Sequence, residues 1–262
     1  IMISKQGRFI FFHIPRTGGS AVQDCLWGGR DEDQDGSHPR NNPDYLGPYD
    51  WHLHGFNQER NKEVYNNEVE GVVGHVGQGL YDWNVNFFAH QSQPVSLNYG
   101  REKFEEYFKF PFVRNPWDRF ISLWVKFKEE VLLQEQFNGV FNLHVDTDFK
   151  EPQELIRYLL LAHRKGLLLP RWFKPQYEYV HDENLRVLTN YVGMYEKFQF
   201  SFDFLCDRID VPHKTLPWSS EEHRRKKKDG KHYTEWYDDV MINAIAEIYY
   251  HDIRTWGYEF GG

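Results

Sequence analysis

The feature that most constrains this chain is a short apolar run that meets a glycine loop. Arg8-Phe9-Ile10-Phe11-Phe12-His13 reads as a buried strand. The loop Ile14-Pro15-Arg16-Thr17-Gly18-Gly19-Ser20 follows, and Ala21 to Leu26 read as the start of a helix. Strand, glycine loop and helix in that order are how α/β proteins build phosphate sites. Glycines let the backbone approach a phosphate and turn its N–H groups inward. The helix N-terminus behind them favours negative charge. Thr17 and Ser20 add hydroxyls, and Arg16 adds a planar cation. Taken alone, a glycine pair after a strand also suits a plain tight turn into a helix. The nucleoside-triphosphate loop GxxxxGK[ST] is the obvious competitor. This chain lacks that loop's first glycine and its Gly-Lys pair.

A second junction of the same kind lies further along. Phe108 to Val113 read as a strand, and Arg114 stands at its carboxyl end. Asn115 then suits an N-cap, Pro116 the first turn, and Asp118 the positive end of a helix continuing from Arg119 to Glu130 and carrying Ser122. A capped helix with one surface arginine and one incidental serine is the plain alternative.

The remaining elements are read more coarsely. Residues 28–62 are polar and rich in Gly, Pro, Asn and Asp, which suits an irregular excursion, with a substrate lid as one use for it. Val69 to His75 read as a short strand ending in the glycines Gly74, Gly77 and Gly79. Residues 101–108 suit a helix, or a helix running into the next strand, and 152–165 another helix. Tyr191 to Tyr195 suit a late strand, Phe200 to Ile209 a helix and 219–232 a charged loop, and Glu235 to Trp256 contain a long C-terminal helix. The expectation is one domain over residues 1–262, an α/β fold with a central, mostly parallel sheet flanked by helices and an insertion at about 28–62.

Composition narrows the class. With 40% hydrophobic and 18% aromatic residues, wholesale disorder is excluded. A net charge of −8 argues against nucleic acid as the main partner and disfavours a long polyanion, although a local patch can act against the net sign. Cys25 and Cys206 form neither a disulfide framework nor a metal motif, and suit small hydrophobes on apolar helix faces. No stretch approaches the ~20 apolar residues of a membrane span. Ile1 ahead of Met2 suits an extra residue before the natural start. The expectation is a soluble, cytoplasmic protein with no membrane partner, unless an N-terminal anchor has been cut away. The oligomeric state is left open.

Together the two junctions resemble those of the sulfotransferases that use 3′-phosphoadenosine 5′-phosphosulfate (PAPS). The first is similar to their P-loop-like 5′-phosphosulfate loop, a Pro-Lys-Thr-Gly-Gly-Thr pattern. The second resembles their 3′-phosphate motif, Arg-Asn-Pro followed by Arg and then Ser. The likeness is greatest to the carbohydrate branch of heparan and chondroitin type and its bacterial relatives. It extends to Gly71-Val72-Val73-Gly74-His75-Val76, Lys174-Pro175-Gln176-Tyr177, Tyr191-Val192-Gly193-Met194-Tyr195-Glu196, and Tyr249-Tyr250-His251-Asp252-Ile253 through Gly257-Tyr258.

The resemblance implies roles. Arg16, Thr17, Gly18, Gly19, Ser20 and Ala21 hold the 5′-phosphosulfate, and Arg114 and Ser122 hold the 3′-phosphate, with PAP as product. Many relatives carry Lys at the position of Arg16. An arginine stabilises charge electrostatically but does not readily release a proton. His75 is the first choice of general base, and a structural histidine is the plain alternative. His52 and His54 are further candidates and Glu70 a carboxylate alternative, whereas His13 suits orienting backbone. No metal is expected, since His52 and His54 lack a third ligand motif.

The basic run Arg224-Arg225-Lys226-Lys227-Lys228 with Lys231 suits either a solvated loop or a flap over an anion. Lys227, Lys228 and Lys231 are its candidate nucleotide contacts. The acceptor is expected to be a saccharide or a small molecule, and Trp51 and Trp83 are candidates for a flat face against it. The competing readings are an ATP-dependent P-loop-like phosphotransferase and a non-catalytic carbohydrate-binding relative.

Overall fold

The computed structural model describes residues 2–4, 7–27, 105–129, 149–181, 186–217 and 230–262. The expected insertion at 28–62 and the strand at 69–75 lie outside these. The chain divides into two compact units. One holds 1–14, 18–112 and 179–217, and the other holds 15–17, 113–178 and 218–262.

The first unit is built on a sheet of four strands: β1 (Met2–Ser4), β2 (Phe9–Phe12), β3 (Phe108–Val113) and β4 (Gly193–Met194), in that spatial order. β1 runs antiparallel to β2 as an edge hairpin. β2 and β3 are parallel, with Phe9 opposite Phe108 and Phe11 opposite Phe110. This central pair is the α/β element expected from the sequence. All four residues of β2 are buried, as they must be in a parallel strand covered on both faces.

Alternation sets the two faces of the sheet. Phe9, Phe11, Phe110 and Phe112 join the core formed with helices α1 (Gly19–Trp27) and α4 (Phe198–Ile209), through Val22, Leu26, Phe202 and Leu205. Phe11 stacks on Phe110 with ring centroids 5.2 Å apart. Both cysteines fall in this core, Cys25 on α1 and Cys206 on α4, as their surroundings in the sequence suggest. Burial pushes the Cys206 thiol up to about 12. β4 places Gly193 against the Phe112 ring, where an added Cβ would come within 2.5 Å of it.

The second unit is helical. It contains α2 (Pro116–Glu129), α3 (Pro152–Arg164), α5 (Asp239–Ile248) and α6 (Tyr250–Trp256), with single 3-10 turns at Arg171–Phe173, Gln176–Tyr179 and Tyr233–Trp236. The start of α2 is capped as its sequence implies: Asn115 Oδ1 accepts the N–H of Trp117 at 3.1 Å. α3 packs along α5, and the Arg164 fork on α3 meets both carboxylate oxygens of Glu247 on α5.

The span 235–256, expected to contain a long helix, holds α5 and α6. Asp238 accepts the N–H of Met241 and so starts α5 at Asp239, because a side-chain acceptor there outcompetes continuation from the preceding turn. The helix breaks again at Tyr249, which is buried and whose hydroxyl donates to the Phe173 carbonyl at 2.8 Å.

Candidate functional site

The loop 15–20 passes from the second unit to the first, so its residues are held by different neighbours. In the second unit Arg16 has φ +67°, a left-handed conformation that costs any residue with a Cβ energy and is common only for glycine. Its Nε donates to Ser122 Oγ on α2 at 2.9 Å. Its carbonyl accepts from Arg114 Nη1 at 3.0 Å. Arg16, one of the residues expected at the phosphosulfate, and the two expected at the 3′-phosphate therefore form one hydrogen-bonded group.

Arg114, directly after β3, is almost fully buried. Its Nε and Nη2 both meet Asp118 Oδ2 at 2.7 Å, one helical turn along α2. A buried cation needs such a partner, since an unpaired charge in a low-dielectric setting is strongly disfavoured. Two guanidinium groups, one carboxylate and one hydroxyl leave this group with a net positive charge, which suits an anion.

Thr17 is fully buried. On the first unit's side, Gly18 has φ +85°, and its carbonyl accepts from the Ala21 N–H at 2.9 Å and the Val22 N–H at 3.3 Å, opening α1. Ser20 stands exposed in the first turn. The leading N–H groups of a helix have no partner inside it, which gives the end its affinity for anions.

The glycines also have a packing reason that the sequence did not disclose. A Cβ on Gly18 would lie 2.4 Å from the Phe198 ring, and one on Gly19 would lie 2.1 Å from the His13 ring. His13, whose ring stacks 5.7 Å from that of Phe11, thus fills the space beside Gly19.

Lys231 is exposed, with its ammonium 5.2 Å from the centre of the Trp236 ring. Its contact is with that ring rather than with the Arg16–Arg114 group. His75, His52, His54, Glu70, Trp51, Trp83, Lys227 and Lys228 lie outside the described residues.

Among the buried residues that sequence reasoning left without a role, Arg119, Gln176 and Asp252 bear on this group. Arg119 (1% exposed) donates to the carbonyls of Pro15 at 2.9 Å, Trp172 at 2.9 Å and Lys174 at 3.1 Å. Gln176 (0%) brackets the backbone of Arg114. Asp252 (0%) accepts from Gln176 and Tyr177. Burial raises the Asp252 carboxyl above its ordinary range, against the pull of those N–H donors and of the Arg119 charge. The spacing of Arg114 and Asp118 was readable as an i, i+4 pair. No local signal links Gln176 or Asp252 to Arg114.

The strand, glycine loop and helix, with Arg114 and Ser122 joined to Arg16, meet a wider likeness. A sequence model of the sulfotransferase family matches residues 1–259. The chain belongs to the sulfotransferase family. It is accordingly a transferase of sulfuryl groups to an acceptor, with a fold of the family's α/β kind. No curated protein matches it, and no solved structure does. Among the described residues of this sulfotransferase, no helix is long and apolar enough to cross a membrane.

Proposed function

We propose that this sulfotransferase takes its sulfuryl group from PAPS and passes it to a hydroxyl of a saccharide or small-molecule acceptor. The observation that carries the reading is the Arg16–Ser122 hydrogen bond, together with the Arg114 contact to the Arg16 carbonyl. These join Arg16 of the first motif to Arg114 and Ser122 of the second, which supports a donor with phosphate at each end of its ribose. The donor chemistry fits: two guanidinium groups and a hydroxyl suit a phosphate dianion.

PAPS supplies an already electrophilic sulfuryl group on a phosphate leaving group. The protein's share is to position, to neutralise charge and to take a proton. Arg114 and Ser122 hold the 3′-phosphate, which ADP and ATP lack. Arg16, the N–H groups at the start of α1 and the Ser20 hydroxyl hold the 5′ end, with Lys227, Lys228 and Lys231 as secondary contacts. Arg16 keeps its proton throughout and acts by charge alone. His75 is the general base for the acceptor hydroxyl, and Trp51, Trp83, His52 and His54 belong to the acceptor side. The resemblance to the carbohydrate branch favours a saccharide.

The deciding experiment is calorimetric titration with 3′,5′-adenosine bisphosphate, with ADP as control and Arg114→Ala beside the unsubstituted protein. Tight bisphosphate binding, weak ADP binding and loss in the variant support the reading. Equal or tighter ADP binding overturns it in favour of an ATP-dependent enzyme. His75→Ala is expected to keep nucleotide binding and lose most turnover, and near-normal turnover removes His75 as the base.

A further inference from the structure

Arg114 is held twice. Asp118 holds its guanidinium, but a side chain from another segment holds its backbone. Gln176 Oε1 accepts the Arg114 N–H at 2.9 Å, and Gln176 Nε2 donates to the Arg114 carbonyl at 2.8 Å. These are the two bonds a neighbouring strand would make. Arg114 is the first residue past β3, so Gln176 continues the strand's pairing by one residue with a carboxamide.

Asp252 fixes that carboxamide in turn. Its Oδ2 accepts from the Gln176 N–H at 2.8 Å and from Gln176 Nε2 at 3.2 Å, and its Oδ1 accepts from the Tyr177 N–H at 2.8 Å. Both N–H bonds of the carboxamide are thereby used, one on Arg114 and one on Asp252. Reversing the amide would set its oxygen against a carbonyl and a carboxylate, so one orientation is favoured. Arg119 supplies the nearby positive charge and, through its bond to the Pro15 carbonyl, ties the residue before Arg16 into the same frame.

A buried carboxylate is a costly way to hold a turn, and apolar residues of similar volume often serve stability as well. What a fully satisfied polar network adds is a single geometry.

We propose that Asp252 and Gln176 are positioning residues that set the placement of Arg114, and so the selectivity of this sulfotransferase for a nucleotide carrying a 3′-phosphate. The inference rests on the PAPS reading above. Neither residue touches the nucleotide. Asp252 acts on Gln176, and Gln176 acts on the backbone of Arg114.

The test is the ratio of affinities for 3′,5′-adenosine bisphosphate and ADP, measured by calorimetry in the unsubstituted protein, Arg114→Ala, Gln176→Met and Asp252→Asn. Gln176→Met keeps the side-chain length and removes both bonds. It is expected to weaken bisphosphate binding by about tenfold or more while leaving ADP binding within about twofold. Asp252→Asn, which retains one acceptor, shifts the ratio in the same direction by less. A merely structural role leaves the ratio unchanged in whatever fraction is folded. An unchanged ratio in Gln176→Met, alongside a collapsed ratio in Arg114→Ala, overturns the positioning role and leaves the PAPS reading standing. Absence of any bisphosphate preference in the unsubstituted protein overturns both. Should the variants not fold, the side-chain amide resonances of Gln176 in the unsubstituted protein decide. They shift on adding the bisphosphate and not on adding ADP, and a failure to shift overturns the proposal.

Discussion

Arg16 Nε and Ser122 Oγ stand 2.9 Å apart although 106 residues separate them in sequence. The bond joins a loop residue in a left-handed conformation to a helix that begins at the other motif. A hydrogen bond to a charged donor contributes about 1.5–3 kcal/mol. Ser122→Ala is therefore expected to weaken 3′,5′-adenosine bisphosphate binding by about tenfold and to lower the thermal midpoint by a few degrees. Calorimetry and thermal unfolding read both. Unchanged affinity would show that the hydroxyl serves Arg16 alone.

The Arg114–Asp118 pair has side chains only 5% and 12% exposed. Removing one member of such a pair leaves an uncompensated buried charge and costs about 3–5 kcal/mol. Asp118→Ala is expected to approach that cost in denaturant unfolding. Asp118→Asn keeps an acceptor for Arg114 and should fall well short of it. Equal losses would mean that the carboxylate's charge, and not an acceptor as such, carries the contact.

Gly19 and His13 are expected to be strongly coupled. The Cβ of Gly19→Ala would meet the His13 ring at 2.1 Å, and overpacking of this kind costs about 1–3 kcal/mol. His13→Ala empties that space. In a double-mutant cycle the pair should be less destabilised than the sum of the single variants. Gly18→Ala is a different case, since φ +85° adds a backbone cost that shrinking Phe198 does not relieve. Additive losses at Gly19 and His13 would contradict the packing explanation.

The Cys206 thiol, pushed up to about 12 from the ordinary 9.0 by burial, carries a pH dependence. Between those values the unfolded chain loses the proton and the folded chain keeps it. The folded state then binds more protons, so stability falls as pH rises through that window. Thermal midpoints from pH 8 to 11 should decline less in Cys206→Val than in the unsubstituted protein. A thiol reagent at pH 8 should label Cys206 only after unfolding, and rapid labelling of the folded protein would contradict its burial.

Some elements were legible because their signals are local. β3 spans Phe108–Val113 as read, because an apolar run ending at an Arg-Asn-Pro start signal leaves few alternatives. α2 starts where Asn115 and Pro116 imply. The helix after the glycine loop and the burial of both cysteines follow equally from nearest neighbours. Within the span 235–256 the division into α5 and α6 was not legible, because the apolar spacing runs on through Tyr249. The break there depends on a hydroxyl reaching Phe173, 76 residues away in sequence.

From sequence alone came the chemistry of the two motifs: a glycine turn before a helix, a cation in each, and hydroxyls behind them. Those properties belong to short stretches whose conformation their own residues dictate. Only the tertiary structure decided that Arg16 bonds Ser122, that His13 and Phe198 occupy the space a Cβ would need, and that Gln176 and Asp252 hold Arg114. Each of these joins residues far apart along the chain. Such contacts are selected by the packing of the whole fold, because a buried donor or charge takes whichever partner the folded chain brings within reach.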